Sequence, residues 1–143
     1  MIPMSVSWPH QPVLYHEIIH ALQPRRGGFY VDGTVGAGGH AWGILDASGP
    51  DGYLLGLDLD TQALATARQR LVEFGQRAIL IYASYTSLAD QVEALGWPGV
   101  DGIVLDRSAQ GGDVVALVLS HGHVLGHAGR GGRGGGDDRP TDP

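Results

Sequence analysis

An open, doubly wound α/β sheet with helices on both faces is the fold class that this 143-residue sequence predicts. Four short apolar runs alternate with segments of helical spacing. Each run is almost continuously apolar instead of alternating with polar residues, which is typical of parallel strands covered on both faces. A glycine-rich turn also follows the first run, where such folds change from strand to helix. Right-handed crossovers would connect the strands.

The predicted strands and helices follow one another in strict alternation after an initial helix. The four strands are expected at residues 28–32, 53–58, 78–82 and 101–106. The helices are expected at residues 13–22, 40–47, 61–74 and 87–95.

The helix at residues 61–74 has the clearest pattern. Asp60 or Thr61 can cap its first turn, and Gly75 can end it. Its apolar residues share one face: Leu64, Ala67, Leu71 and Phe74.

The chain changes character after Asp106. Ten of its 24 glycines lie in residues 107–143, and most of that segment has no apolar period. Such a composition cannot bury enough surface to offset the entropy of ordering. We therefore predict two parts: residues 1–106, half of an α/β domain, and residues 107–143, a Gly/His/Arg-rich disordered tail. Within the tail, the apolar run at residues 114–119 could form a fifth strand.

Composition excludes several classes of function. The absence of cysteine excludes disulfides and thiolate metal sites. No apolar run approaches the roughly 20 residues of a membrane span, and residues 1–9 lack a secretory signal, so a cytoplasmic location is expected. Residues 1–106 hold 5 arginines against 11 acids, which is not the basic face of a nucleic-acid binder. Any nucleic-acid substrate would be contacted mostly elsewhere.

The glycine-rich segment after the first strand is the main candidate for ligand binding. Gly36, Gly38 and Gly39 would let the backbone approach a ligand, although an ordinary tight turn would use them too. Asp58 ends the second strand, where an acid hydrogen-bonds the ribose of a bound adenosine in this class of fold. The alternative is that Asp58 or Asp60 merely caps the next helix; Asp60 suits that role better.

Two acids indicate which nucleoside cofactor fits. The residues from Gly36 to Ala41 can be fitted to the dinucleotide pattern G-x-G-x-x-A, so NAD has to be considered. However, a carboxylate at Asp32 would repel a pyrophosphate and attract the amino or sulfonium end of S-adenosylmethionine. Asp106 ends the fourth strand beside the first, where substrate should meet cofactor. Both acids favour S-adenosylmethionine.

The chain resembles the bacterial 16S rRNA cytosine-N4 methyltransferases of the MraW/RsmH type. The string Asp-Gly-Thr-x-Gly-x-Gly-Gly-His, here starting at Asp32, is specific to them. The other matching segments support it and follow in the same order: residues 10–17, 55–60, 84–88 and 101–106. Together they cover about two-thirds of the chain.

The resemblance implies a partial Rossmann-like methyltransferase fold, S-adenosylmethionine as cofactor, and 16S rRNA of the small ribosomal subunit as partner. It also implies a catalytic position for Asp106, nearest the target amine. No metal is implied. Tyr85 stands where the family usually has Phe, a change that stacking on adenine would tolerate. The implied cofactor contacts are Gly38, Gly39, His40, Asp58, Tyr85 and Asp106.

The resemblance breaks at Arg107. The family continues after Asp106 with Leu-Gly-Val-Ser-Ser and is about twice as long, which suggests a frameshift or a short protein with its own tail. We therefore expect a truncated chain that is inactive alone. Three alternatives remain open at this point: a non-catalytic fragment that binds S-adenosylmethionine, an NAD-binding oxidoreductase fragment, or an unstable product with an unpaired apolar sheet edge.

Overall fold

A five-stranded sheet with helices on both faces forms the centre of the molecule in the computed structural model, which describes residues 15–107 and 111–119. The strands are β1 (Phe29–Asp32), β2 (Tyr53–Asp58), β3 (Ala78–Tyr82), β4 (Gly102–Asp106) and β5 (Val114–Val118). The α-helices are α1 (Tyr15–Leu22), α2 (Gly39–Ala47), α3 (Thr61–Arg70) and α4 (Leu88–Ala94). Short 3-10 helices cover Val72–Arg77 and Tyr85–Ser87.

The strand order is β3-β2-β1-β4-β5, and β1 to β4 are parallel. The first strand lies between β2 and β4, with Asp32 in register with Gly56 on one side and Val104 on the other. The order therefore reverses at β1, and the carboxyl ends of β1, β2 and β4 meet at one edge of the sheet. Ligands bind at this place in open α/β sheets.

The fifth strand shows that the predicted parallel arrangement holds for four strands only. Asp106 pairs with Val114 and Gly102 with Val118, so β5 is antiparallel to β4. The connection at residues 107–113 is too short for a parallel crossover, which needs a dozen residues or more. Because β5 lies within residues 107–143, that segment is not disordered throughout. Residues 108–110 and 120–143 lie outside the described residues.

The core has one layer on each face of the sheet, as the continuous apolar strands predict. Leu54 faces α1, α2 and α3, whereas its neighbour Leu55 faces α4, because successive side chains of a strand point to opposite faces. The first layer includes Leu22, Ile44 and Leu64. Burial on both sides fixes the strands, and with them the loops at their carboxyl ends.

The helix α3 begins as predicted and ends earlier than predicted. The side chain of Asp60 accepts hydrogen bonds from the amides of Gln62 (2.9 Å) and Ala63 (3.2 Å), so Asp60 is the N-cap. The predicted helix at residues 61–74 instead tightens into the 3-10 helix Val72–Arg77. Gly75, with φ +55°, interrupts the helical conformation inside that segment and forms a kink there. Among the described residues, no helix is both long and apolar enough to cross a membrane.

Candidate functional site

A cavity of about 560 Å³ lies at the carboxyl ends of the parallel strands. Each of the four parallel strands contributes to its wall through its last residue or the loop that follows. The lining residues are Gly33, Thr34, Gly36, Asp58, Leu59, Asp60, Ala63, Ala83, Ser84, Tyr85, Asp106 and Arg107. The sheet therefore places the cavity at the switch point that the strand pattern predicts.

The eight residues predicted to form the site fall into two groups. Four of them line the cavity: Gly36, Asp58, Tyr85 and Asp106. The other four do not line it and are buried: Asp32, Gly38, Gly39 and His40.

Asp58 connects the end of β2 to the glycine-rich loop. One carboxylate oxygen accepts a hydrogen bond from the amide of Gly36 at 2.8 Å, and the other accepts from the amide of Asp60 at 2.9 Å. The expectation that Asp60 caps α3 is confirmed, but Asp58 is not left without contacts. Each carboxylate oxygen has a second lone pair, so Asp58 can still accept a hydrogen bond from a ligand in the cavity.

Asp32 lies beneath the cavity and has only 1% of its surface exposed. Its Oδ1 accepts from the amide of Thr34 at 3.1 Å, whereas Oδ2 has no hydrogen-bond partner among the described residues. Burial raises the pKa of this carboxyl to about 7; the Thr34 hydrogen bond opposes the rise, and the charges of Asp106 and Asp58 add to it. The carboxyl is therefore only partly ionised near neutral pH, and a nearby cation would stabilise its charged form.

Gly38 allows two helices to pack closely, and it does not line the cavity. It adopts the left-handed conformation, with φ +90°, and a Cβ there would lie 3.4 Å from both the Cα and the Cβ of Ala67. The start of α2 thus lies directly against α3, and the absence of a side chain at Gly38 permits this close contact.

His40 is directed away from the cavity. It is 5% exposed, and its ring lies parallel to that of Tyr15 with 6.4 Å between the centroids. The side chain therefore contacts α1, and any contact of His40 with a ligand would have to come from its backbone.

Thr34 and Arg107 line the cavity although neither was among the predicted site residues. Thr34 carries a signal in the sequence, since it lies inside the glycine-rich string between Asp32 and Gly36. Arg107 could have been found from its place directly after the strand that ends in Asp106.

The sequence profile of the MraW methylase family matches residues 7–108. The chain belongs to the MraW methylase family. The match ends before β5, which lies beyond the family segment. The protein named ribosomal RNA small subunit methyltransferase H from Oleidesulfovibrio alaskensis is 48% identical to this chain over 97 residues, covering 68% of this chain and 30% of that protein. The chain spans about 30% of the length of the curated relatives it matches.

Solved structures show the same fold at low sequence identity. TrmN from Thermus thermophilus aligns with a TM-score of 0.53 and 24% identity, over 71% of this chain and 29% of that one. Fibrillarin from Aeropyrum pernix, solved with natively bound S-adenosyl-L-methionine, aligns with a TM-score of 0.50 and 18% identity, over 59% of this chain and 35% of that one. The predicted Rossmann-like methyltransferase fold of this MraW family chain is confirmed.

Proposed function

We propose that this chain carries the S-adenosylmethionine-binding part of an rRNA methyltransferase. The observation that carries the proposal is the cavity at the switch point of the sheet, with Asp58 and Asp106 at the ends of the strands on either side of β1. Its volume of about 560 Å³ lies in the range of small-molecule sites, roughly 300 to 1,000 Å³. Membership of the MraW methylase family supports the same assignment.

The residues around the cavity fit the adenosine end of this cofactor. Asp58 would accept hydrogen bonds from the ribose hydroxyls, as an acid at the end of the second strand does in this class of fold. Tyr85 is 40% exposed at the cavity wall and offers an aromatic face for adenine. The glycine loop, whose Gly36 amide is held by Asp58, also lines the cavity.

The acids near β1 and β4 favour a cationic ligand. Asp32 has a buried carboxylate oxygen without a partner among the described residues, and Asp106 lies at the cavity wall nearby. Their charges would attract the sulfonium and ammonium groups of S-adenosylmethionine and would repel the pyrophosphate of NAD. This electrostatic difference, more than the shape of the glycine loop, supports a methyltransferase cofactor over a nicotinamide cofactor.

The proposed reaction is methylation of the exocyclic N4 amine of a cytosine in 16S rRNA of the small ribosomal subunit. The bound cofactor supplies an activated methyl group, and the protein orients the amine in line with it. Asp106 is the proposed catalytic residue, because its position at the end of β4 puts a hydrogen-bond acceptor beside the place where the amine would enter.

Contacts with the rRNA would lie mostly outside residues 1–106, whose excess of 11 acids over 5 arginines does not suit phosphate binding. We propose that the chain, alone, holds the cofactor without methylating rRNA, because residues 107–143 do not continue the family pattern. An assay with labelled S-adenosylmethionine and undermethylated small subunits tests this. Methylation of the rRNA by the chain alone would contradict it.

Calorimetric titrations with two cofactors test the cofactor assignment. We expect S-adenosylmethionine to bind at least about tenfold more tightly than NADH at pH 8, because a tenfold ratio needs only about 1.4 kcal/mol of electrostatic discrimination. S-adenosylhomocysteine, which keeps the ammonium and lacks the sulfonium charge, is the matched control and should bind with intermediate affinity. Equal or tighter binding of NADH would contradict the proposal and favour an oxidoreductase fragment.

A further inference from the structure

Thr34 connects the two strands that flank the switch point. Its hydroxyl accepts a hydrogen bond from the amide of Asp106 at 2.6 Å, although the two residues are 72 positions apart. Its own amide donates to Asp32 at 3.1 Å. One residue therefore contacts both of the acids that would face the positive end of the cofactor.

The geometry of β4 explains why the amide of Asp106 needs this partner. The amide of Arg107 donates to the carbonyl of Asp113, toward β5. Because successive amides of a strand point to opposite sides, that of Asp106 points toward β1. The last backbone bond there joins the amide of Gly33 to the carbonyl of Val104, and the pairing of β1 with β4 ends at Asp32. Beyond that point the amide of Asp106 donates to the hydroxyl of Thr34 in place of a backbone carbonyl.

We propose that Thr34 is a positioning residue of the cofactor site. Its hydroxyl holds the end of β4 so that Asp106 stays at the cavity wall, while its amide fixes Asp32 below. This inference rests on the proposed function, because it assigns Thr34 to the same site. It predicts that the hydroxyl group matters for cofactor affinity, whereas the methyl group of threonine does not.

Three variants separate the role of the hydroxyl from that of the side-chain shape. Thr34→Val keeps the branched shape and removes the acceptor, Thr34→Ser keeps the acceptor, and Thr66→Val makes the same change on the exposed face of α3 as a control. We expect Thr34→Val to bind S-adenosylmethionine about tenfold more weakly than wild type, since it leaves a part-buried amide without an acceptor. Thr34→Ser and Thr66→Val should bind within about twofold of wild type.

The amide resonance of Asp106 provides a readout that does not depend on the cofactor. A short hydrogen bond deshields the amide proton, so this resonance should move upfield in Thr34→Val and stay near its wild-type position in Thr34→Ser. If Thr34→Val does not fold, Thr34→Ala removes the hydroxyl without adding bulk. Wild-type affinity in a folded variant without the hydroxyl would overturn the inference and leave the proposed function intact. Failure of the wild-type chain to bind S-adenosylmethionine would instead overturn the proposed function, and the inference with it.

Discussion

Replacing Asp32 with asparagine is expected to raise the free energy of unfolding, relative to that of the wild type, by more at pH 8 than at pH 5. The pKa of the buried carboxyl is about 7 in the folded protein and 3.8 as its ordinary value, so folding favours its protonated form. The contribution of this carboxyl to the free energy of unfolding is therefore greatest at low pH and is lost as the pH rises from 3.8 to 7. Between pH 5 and pH 8 the wild type should lose about 2.5 kcal/mol through this group, and Asp32→Asn should not.

Urea denaturation at both pH values measures this difference. The asparagine side chain would keep an oxygen for the amide of Thr34, so the change removes mainly the buried charge. The control is Asp51→Asn, because the Asp51 carboxylate is exposed and lies 3.6 Å from Arg26. We also expect Asp32→Asn to bind S-adenosylmethionine about tenfold more weakly at pH 8, having lost a charge that attracts the cationic end. If Asp32→Asn changed the free energy of unfolding, relative to wild type, by the same amount at pH 5 and at pH 8, the raised pKa of Asp32 would be contradicted.

Replacing Asp58 with alanine is expected to weaken S-adenosylmethionine binding about 100-fold, the largest effect among the variants of the site. The substitution removes the proposed acceptor for the ribose and also the partner of the Gly36 and Asp60 amides. A hydrogen bond to a charged group contributes about 1.5 to 3 kcal/mol, and a 100-fold loss of affinity corresponds to about 2.7 kcal/mol.

Asp58→Asn separates the two contributions of this residue. Asparagine keeps one acceptor oxygen, so the variant should retain part of the loop contact and bind with intermediate affinity. Calorimetry gives the affinity of each variant, and thermal denaturation shows whether the loop has lost its support. Binding of S-adenosylmethionine by Asp58→Ala at wild-type affinity would show that the cofactor does not use the end of β2.

The sequence predicts the parallel strands to within one residue, because each is a continuous apolar run buried between helices. It does not predict where α3 ends, since the apolar spacing that continues to Phe74 is compatible with either an α-helix or a 3-10 helix. The antiparallel direction of β5 follows from the short connection before it, so the sequence contained that information.

For the candidate site, too, the sequence predicts the positions that the strands determine and does not predict the features that side-chain packing determines. Gly36, Asp58 and Asp106 follow a strand or end one, and parallel strands bring those positions to one edge of the sheet. The burial of Asp32 and the orientation of His40 toward Tyr15 depend on tertiary packing of side chains, which spacing along the chain does not encode. The hydrogen bond between Thr34 and Asp106 joins residues 72 positions apart and requires the pairing of β1 with β4.

The most direct test of the central claim is a titration of the isotopically labelled chain with S-adenosylmethionine, followed through the backbone amide resonances. We predict saturable shifts at the amides of Thr34, Gly36, Asp60 and Asp106, which donate hydrogen bonds to the side chains of Asp32, Asp58 and Thr34 around the cavity. The amide resonances at the amino ends of the strands, such as that of Phe29, should not shift. Shifts confined to the amino ends, or no shifts at saturating cofactor, would contradict the assignment of this cavity as the cofactor site.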